Sequence, residues 1–290
     1  MNAVRIADIL REKQTFSFEI FPPKDELPVE AGRQIVSELA TYGPDYMSVT
    51  FSAGGSGNSE HSIDIAAHMQ DEQQVTALAH LTCIGSTREQ IAHNVKELTS
   101  RGVNNILALR GDRVPGQTEG DFRYASDLIS YLKEQDVCVG AACYPEGHVE
   151  CEDDARSMEH LKMKQDAGAD FLVTQLFFDN ELFYRFREAC DRARIKIPVV
   201  AGIMPFTSES QVKRMAFTCG ATIPARLIKR LVALGNSPED LKKAGIEYAC
   251  DQLTDLAANG VDGLHVYCMN RPEVGKAARD ALLDCAYLEA

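Results

Sequence analysis

Two rhythms of apolar and polar positions run along the chain. In F-S-F-E-I-F, Phe16, Phe18 and Ile20 alternate with Ser17, Glu19 and Phe21, the period of two expected of a strand. Pro22-Pro23 end it, because neither residue can donate to a sheet ladder. Similar short apolar runs recur at Tyr46–Phe51, Val75–Cys83, Asn104–Asp112, Val137–Pro145, Asp170–Phe178, Pro198–Met204 and Val261–Met269. Between them the spacing becomes helical. A short helix is predicted over 2–13, and a second over Asp25–Tyr42 carries the stripe Ile35, Val36, Leu39 and Ala40. Ser52–Ser59 reads as a Gly- and Ser-rich loop, followed by helices at His61–Met69, from a Thr87 cap to Arg101, and over Ala125–Glu134. Further helices are predicted at Asp153–Ala167 and Glu181–Ala193. Two or three more lie within Ser208–Ala258, with breaks near Gly220, Pro224 and Gly235–Pro238, and a last one spans Pro272–Leu283.

Strands that alternate this regularly with helices predict an α/β fold with parallel pairing. The count of eight runs and the length of 290 residues favour a closed (β/α)8 TIM barrel over an open doubly wound sheet. No composition break or linker interrupts the pattern, so one domain over 1–290 is expected. No G-x-G-x-x-G follows the first strand, which argues against a Rossmann dinucleotide site.

Composition narrows the function classes. Lys and Arg total 30 against 43 Asp and Glu, a net charge of -13, which opposes non-specific nucleic-acid binding. The N-terminal stretch is charged on both sides of its short apolar core, so no signal peptide is expected. No apolar run approaches the roughly 18 residues of a membrane span. The nine cysteines include no C-x-x-C pair and read as reduced thiols of a cytoplasmic protein. Cys143, His148 and Cys151 are too loosely spaced to predict a metal site.

In a barrel of this kind the active site lies at the C-terminal ends of the strands. Those positions hold Glu19, Thr50, His80, Thr82, Arg110, Asp112, Tyr144, Glu146, His148, Gln175, His265, Tyr267, Asn270 and Arg271. Taken singly, Arg110 and Asp112 could be a rim ion pair, His80 a satisfied core histidine and Gln175 a strand-capping amide. Together they make a polar mouth on an apolar barrel. Glu19 and Asp112, from the first and fourth strands, could divide into a proton donor and a permanent anion if their environments differ. The chain has no G-x-S-x-G, H-E-x-x-H or Walker loop, so the commoner hydrolase and nucleotide-triphosphate readings lack support.

The segments S-F-E-I-F-P-P-K, S-V-T-F, A-H-L-T-C, L-A-L-R-G-D, Y-P-E-G-H, L-K-M-K-Q-D-A-G-A, T-Q-L-F-F-D, G-I-M-P, I-P-A and Y-C-M-N-R together resemble the methylenetetrahydrofolate reductases of the bacterial single-domain type. The resemblance implies non-covalent FAD at the strand ends, NADH or NADPH as hydride source, and reduction of 5,10-methylenetetrahydrofolate to 5-methyltetrahydrofolate by a ping-pong route through one shared site. It places the protein in one-carbon metabolism and methionine biosynthesis. Glu19 falls on the family's general acid, which protonates folate N10; an apolar strand end is expected to raise its pKa. Asp112 falls on the carboxylate beside flavin and folate, and Gln175 on the amide that binds the pterin. Thr50, His80, Leu109, Arg110, Gly111, Tyr144, His148 and Lys164 match FAD-contacting positions, and Tyr267 and Arg271 match late positions near flavin and folate.

Three features depart from those relatives. Met163 and Ser157 stand where enterobacterial relatives have Arg and Asp toward the FAD phosphates and ribose. Glu209 aligns with the aromatic that closes over substrate, with Phe206 nearby as a stand-in. No C-terminal regulatory domain, and so no control by S-adenosylmethionine, is expected. A homo-oligomer is expected, with a partner subunit as a further option. The alternatives are a folate- or flavin-binding subunit active only with a partner enzyme, and a proline-dehydrogenase-like flavin barrel.

Overall fold

A computed structural model describes residues 4–23, 28–51, 59–113, 116, 118–151, 153–235 and 237–288. The predicted loop at 52–58 and the start of the second predicted helix, at 25–27, lie outside the described residues. The strands are β1 (Thr15–Ile20), β2 (Tyr46–Val49), β3 (Thr76–Thr82), β4 (Asn105–Leu109), β5 (Cys138–Cys143), β6 (Phe171–Thr174), β7 (Val199–Ile203) and β8 (Gly263–Tyr267). Each pairs in parallel with the next, and β8 returns to β1, closing the expected eight-stranded barrel.

The helices wrap this barrel. Helix α1 (Ile6–Glu12) precedes β1, and α2 (Val29–Ala40), α3 (Ser59–Asp71) and α4 (Arg88–Ser100) follow β1, β2 and β3 in turn. Then come α5 (Ala125–Lys133), α6 (Asp154–Asp166) and α7 (Asn180–Arg192) after β4, β5 and β6. The long segment before β8 resolves into three helices, α8 (Glu209–Cys219), α9 (Ala225–Leu234) and α10 (Pro238–Ala258), and α11 (Pro272–Asp284) follows β8. Gly220 ends α8 in the left-handed conformation, as a helix-terminating glycine can without a Cβ penalty. Thr87 and Gln90 form a capping box at the start of α4, satisfying amide donors that the first turn leaves unpaired.

The alternation in each strand sorts the interior into layers. Phe16, Phe18 and Ile20 join Met47, Val49, Leu264-side neighbours and helix residues such as Val36 and Leu39 in the annulus between sheet and helices. The opposite face points into the barrel, where Tyr46, Leu78, Leu107, Cys138, Phe171, Val173 and Val200 pack together. Helix α1 closes the floor of this interior with Ile6, Ala7 and Leu10. It is tied there by Asn105 of β4, which accepts from the Ile6 amide at 2.8 Å and donates to the Val4 carbonyl at 3.0 Å. A third cluster, with Leu176, Phe178, Met204, Phe206, Val212, Leu227, Leu231 and Tyr248, sits under α8, α9 and α10 beside the mouth.

Several strands end earlier than their apolar runs suggest. The fourth stops at Leu109, so Arg110–Asp112 belong to the following loop. Gly111 explains the turn: its φ is +88°, and a Cβ there would lie 3.2 Å from that of Thr82. Only glycine accepts both the angle and the contact.

Candidate active site

Register assembles the mouth from residues that are distant in sequence. Glu19 stands opposite Ser48 on one side and Tyr267 on the other, while Ser17, one inward position below, stands opposite His265. All lie on the inward face because residues two apart share a face of a strand. The result is a polar strip inside the barrel, in which Thr15, Ser17, Ser48, His80 and His265 are buried.

Glu19 is the focus of that strip. Its Oε2 lies 3.3 Å from His80 Nε2 and 3.5 Å from His265 Nε2, and accepts from Ser48 Oγ at 3.4 Å. The side chain keeps 18 % of its surface open. Burial pushes its pKa up, but the two facing imidazoles together outweigh this and hold the carboxyl at about 2. The expected upward shift is therefore reversed. An apolar strand end would favour the neutral acid, yet Glu19 faces the inside of the barrel, where His80 and His265 stabilise the anion. His80 acts here by charge more than by hydrogen bonding. Its Nε2 lies close to the carboxylate without a well-aligned partner among the described residues.

A cleft of about 1690 Å³ opens on the β4–β5 side and runs along α6. Leu109, Arg110, Tyr144, His148 and Lys164 line it, as do Met163 and Ser157. Lys164 reaches from α6 to the Ala142 carbonyl at 2.7 Å, with its ammonium 5.4 Å from the Tyr144 ring centre. Burial pushes this amine down to about 8. Tyr144 and His148 meet edge to face at 4.7 Å, and burial with the neighbouring Arg110 lowers the His148 pKa. Arg110 is held by Glu150 at 2.5 Å, a partner that sequence reasoning did not anticipate. Asp112 is exposed at this rim.

A smaller cavity of about 440 Å³ lies across the mouth, lined by Phe21, Gln211, Arg214, Met269 and Arg271. Asn270 stitches its wall by exchanging hydrogen bonds with the Phe21 backbone at 2.8 and 3.0 Å. Gln175 follows β6 and turns its amide oxygen onto the Leu176 N–H at 2.9 Å. Tyr267 donates to the Thr174 carbonyl at 2.5 Å, bridging β8 to β6 across the barrel. Thr50 lies just beyond β2, its carbonyl accepting from Ser62 at 2.9 Å.

The candidate residues thus divide between a central carboxylate–histidine group (Glu19, His80, with Tyr267 adjoining), a cationic cleft (Leu109, Arg110, Tyr144, His148, Lys164) and a second cavity reached by Arg271. Glu209 leaves the aligned position without an aromatic ring, and the stand-in Phe206 does not cover the mouth. Glu209 pairs with Lys213 on the exposed first turn of α8. Phe206 is fully buried against Tyr248, because α10 packs directly over it at Gly245. Ser17 and Ser48 escaped sequence reasoning. Ser17 was reachable from the period of two that it shares with Glu19, whereas Ser48 required the register.

The sequence profile described as Methylenetetrahydrofolate reductase matches residues 5–281. The chain is 35 % identical to "Methylenetetrahydrofolate reductase (NADH) 1" of Arabidopsis thaliana, over 98 % of this chain and 50 % of that protein. It is 38 % identical to "Methylenetetrahydrofolate reductase 1" of Schizosaccharomyces pombe, over 90 % of this chain and 44 % of that one. It therefore spans about half the length of these relatives. It is also 34 % identical to the 5,10-methylenetetrahydrofolate reductase of Escherichia coli, over 90 % of this chain and 88 % of the bacterial one. Among solved structures, a Clostridium thermocellum protein described as binding two copies of 5-methyl-5,6,7,8-tetrahydrofolic acid shares the fold, with a TM-score of 0.66 and 14 % identity over 99 % of this chain and 100 % of that one.

Proposed function

The chain belongs to the methylenetetrahydrofolate reductase family, and on that premise we propose that it carries out flavin-dependent reduction of 5,10-methylenetetrahydrofolate to 5-methyltetrahydrofolate. The observation that carries this reading is a partly open carboxylate, Glu19, set among histidines in a barrel whose β4–β5 side opens a long cleft lined by Arg110 and Lys164.

The cleft residues fit FAD. Its volume of about 1690 Å³ exceeds the ~300–1,000 Å³ of a typical small-ligand pocket, as a dinucleotide requires. Arg110 and Lys164 offer cationic donors for a diphosphate, and Tyr144 offers a ring face. Met163 and Ser157 on the same wall supply no charge, so Lys164 carries more of the phosphate recognition than in relatives with an Arg there. A bound flavin supplies the two-electron hydride chemistry, which no side chain offers.

The remaining roles belong to the chain. Glu19, an anion at rest, takes up a proton from water at the open mouth and delivers it to folate N10 so that the five-membered ring opens. Asp112 at the rim favours the cation that results, Gln175 presents an amide to the pterin, and Arg271 faces the second cavity, where an anionic tail of the substrate can lie. The reducing equivalents come from NADH or NADPH; names of the Arabidopsis and maize relatives specify NADH.

Purified protein should bind FAD with a flavin absorbance spectrum that NADH bleaches, and should oxidise NADH with menadione as acceptor. In Glu19→Gln, flavin reduction should persist while folate reduction falls by about 100-fold or more, the scale of a lost general acid. A protein that cannot be reconstituted with FAD, or a variant that still reduces the folate, would remove the reading.

A further inference from the structure

The smaller cavity across the mouth holds two cations with nothing to balance them. Its wall carries Arg214 from α8 and Arg271 from the turn after β8. Arg214 is exposed and Arg271 half-buried. Among the described residues neither guanidinium makes an ion pair or a side-chain hydrogen bond, and no carboxylate lines the cavity. The carboxylates nearest to them in sequence are engaged elsewhere. Glu209 pairs with Lys213 at 2.5 Å and Glu273 with Lys242 at 2.8 Å; Arg271 acts on Glu273 only through space. The chain as a whole has a net charge of -13, yet a concavity with two free guanidiniums attracts an anion whatever the overall sign.

A neutral donor stands beside them. Ser208 Oγ and Ser210 Oγ lie 3.0 Å apart, and Ser208 Oγ also accepts from the Gln211 amide at 3.1 Å. Their shared bond uses one of the two hydroxyl protons and leaves the other free to turn into the cavity. Thr207 adds none, because its hydroxyl donates to Gln211 Oε1 at 2.9 Å. Two guanidiniums and a hydroxyl match a phosphomonoester, which carries roughly -1.5 to -2 charges near neutral pH and three acceptor oxygens. Guanidinium binds such a group through paired N–H donors.

The cavity also lies where a hydride donor can reach it. Phe21 stands two residues beyond Glu19 and Cys268 follows Tyr267, so it opens onto the same mouth as the central carboxylate. The cleft that fits FAD takes the β4–β5 side. What the coenzyme carries beyond its nicotinamide therefore has the β1–β8 side to lie on, and about 440 Å³ is room for a ribose and its phosphate.

We propose that this cavity seats the 2′-phosphate of the coenzyme, so that the chain takes NADPH in preference to NADH, with Arg214 as the discriminating residue. The inference rests on the reductase reading above. The two coenzymes differ only in that phosphate. With NADPH both guanidiniums gain a partner, whereas with NADH they stay in water and gain nothing. The resulting preference is about 10- to 100-fold in kcat/KM, the scale of charge-assisted hydrogen bonds. NADH still reduces the flavin, with lower efficiency. Because the coenzyme leaves before the folate enters, Arg271 can serve the anionic tail of the folate in its turn.

The test measures kcat/KM for each coenzyme in the FAD-loaded protein with menadione as acceptor. Wild type should favour NADPH by about 10- to 100-fold, and the preference should shrink as salt rises. In Arg214→Gln the ratio should fall to within a few-fold of one, through KM for NADPH rather than kcat, while Arg214→Lys should keep part of it. Arg214 is exposed, so neither variant disturbs the core. A second measurement needs no turnover. By calorimetry, adenosine 2′,5′-bisphosphate should bind wild type about 10-fold more tightly than adenosine 5′-monophosphate, and the two should bind Arg214→Gln alike. A wild type that is indifferent or prefers NADH, or a ratio unchanged in Arg214→Gln, would overturn the proposal. So would a variant with a raised KM for the folate and an unchanged coenzyme ratio, which would give the cavity to the folate carboxylates. A wild type whose flavin is reduced by NADPH but never reduces the folate defeats the reductase reading instead, with the coenzyme preference intact.

Discussion

Glu19→Gln should flatten the acid limb of the protein's stability. Burial opposes ionisation of this carboxyl, but His80 and His265 hold it at about 2, against an ordinary 4.5. A depressed folded value contributes stability that is complete above the unfolded value and is lost as pH falls through the folded one. The full contribution is roughly 3 kcal/mol, and the side chain is only 18 % exposed, so solvent screening removes little of it. By linkage, about 2 kcal/mol of this should have gone by about pH 3. Urea melts of wild type and Glu19→Gln, taken from about pH 6 to about pH 3, isolate the effect from the other carboxylates, which both proteins share. The wild type should lose about 2 kcal/mol more than the variant over that range. Coincident slopes would mean that the histidines do not hold the anion. A wild type that gains on the variant as pH falls would mean that the carboxyl is raised, restoring the expectation from its apolar strand.

Three further outcomes follow from other sites. Lys164→Met should weaken FAD binding by about 10-fold, the equivalent of ~1.4 kcal/mol, measured by quenching of flavin fluorescence. The wild-type affinity should fall as pH rises through about 8, where Lys164 loses its charge, and the variant should lack that fall. Glu150→Gln releases Arg110 from its 2.5 Å ion pair and should tighten FAD binding by a few-fold, with a stronger salt dependence; unchanged affinity would show that Glu150 does not compete for the guanidinium. Gly245→Ala would set a Cβ 1.7 Å from the Phe206 carbonyl oxygen. Because backbone must move, it should cost at least about 3 kcal/mol, and a silent denaturation midpoint would refute the close approach of α10.

The barrel was legible because its two rhythms are strong: every predicted strand run contains a strand. The strand ends were less so, since apolar residues such as Leu176 and Phe178 continue past β6 to pack under α10, and hydrophobicity does not distinguish the two kinds of burial. At the site, single residues could be read from position along a strand, but their neighbours could not. Glu19 carried a visible carboxylate on the polar face of β1, while its charge state depended on His80 and His265, which closure of the sheet brings from 61 residues and most of the chain away. The Glu150 partner of Arg110 and the burial of Phe206 were hidden for the same reason. Each depends on how loops and late helices settle on the mouth.

The Asn105 tie of α1 to the barrel floor spans 99 residues, and this has a consequence for synthesis on the ribosome. Ile6, Ala7 and Leu10 emerge well before their seat, which includes Leu107 of β4, Phe171 of β6 and Val200 of β7. At ~5–20 residues per second, reaching even β4 takes roughly 5–20 s. For that interval the nascent chain carries an apolar helix with nowhere to dock, next to a β1 strand whose other neighbour, β8, is made after the seven strands before it. The α1 segment is therefore the natural place for a chaperone to hold while the barrel is made.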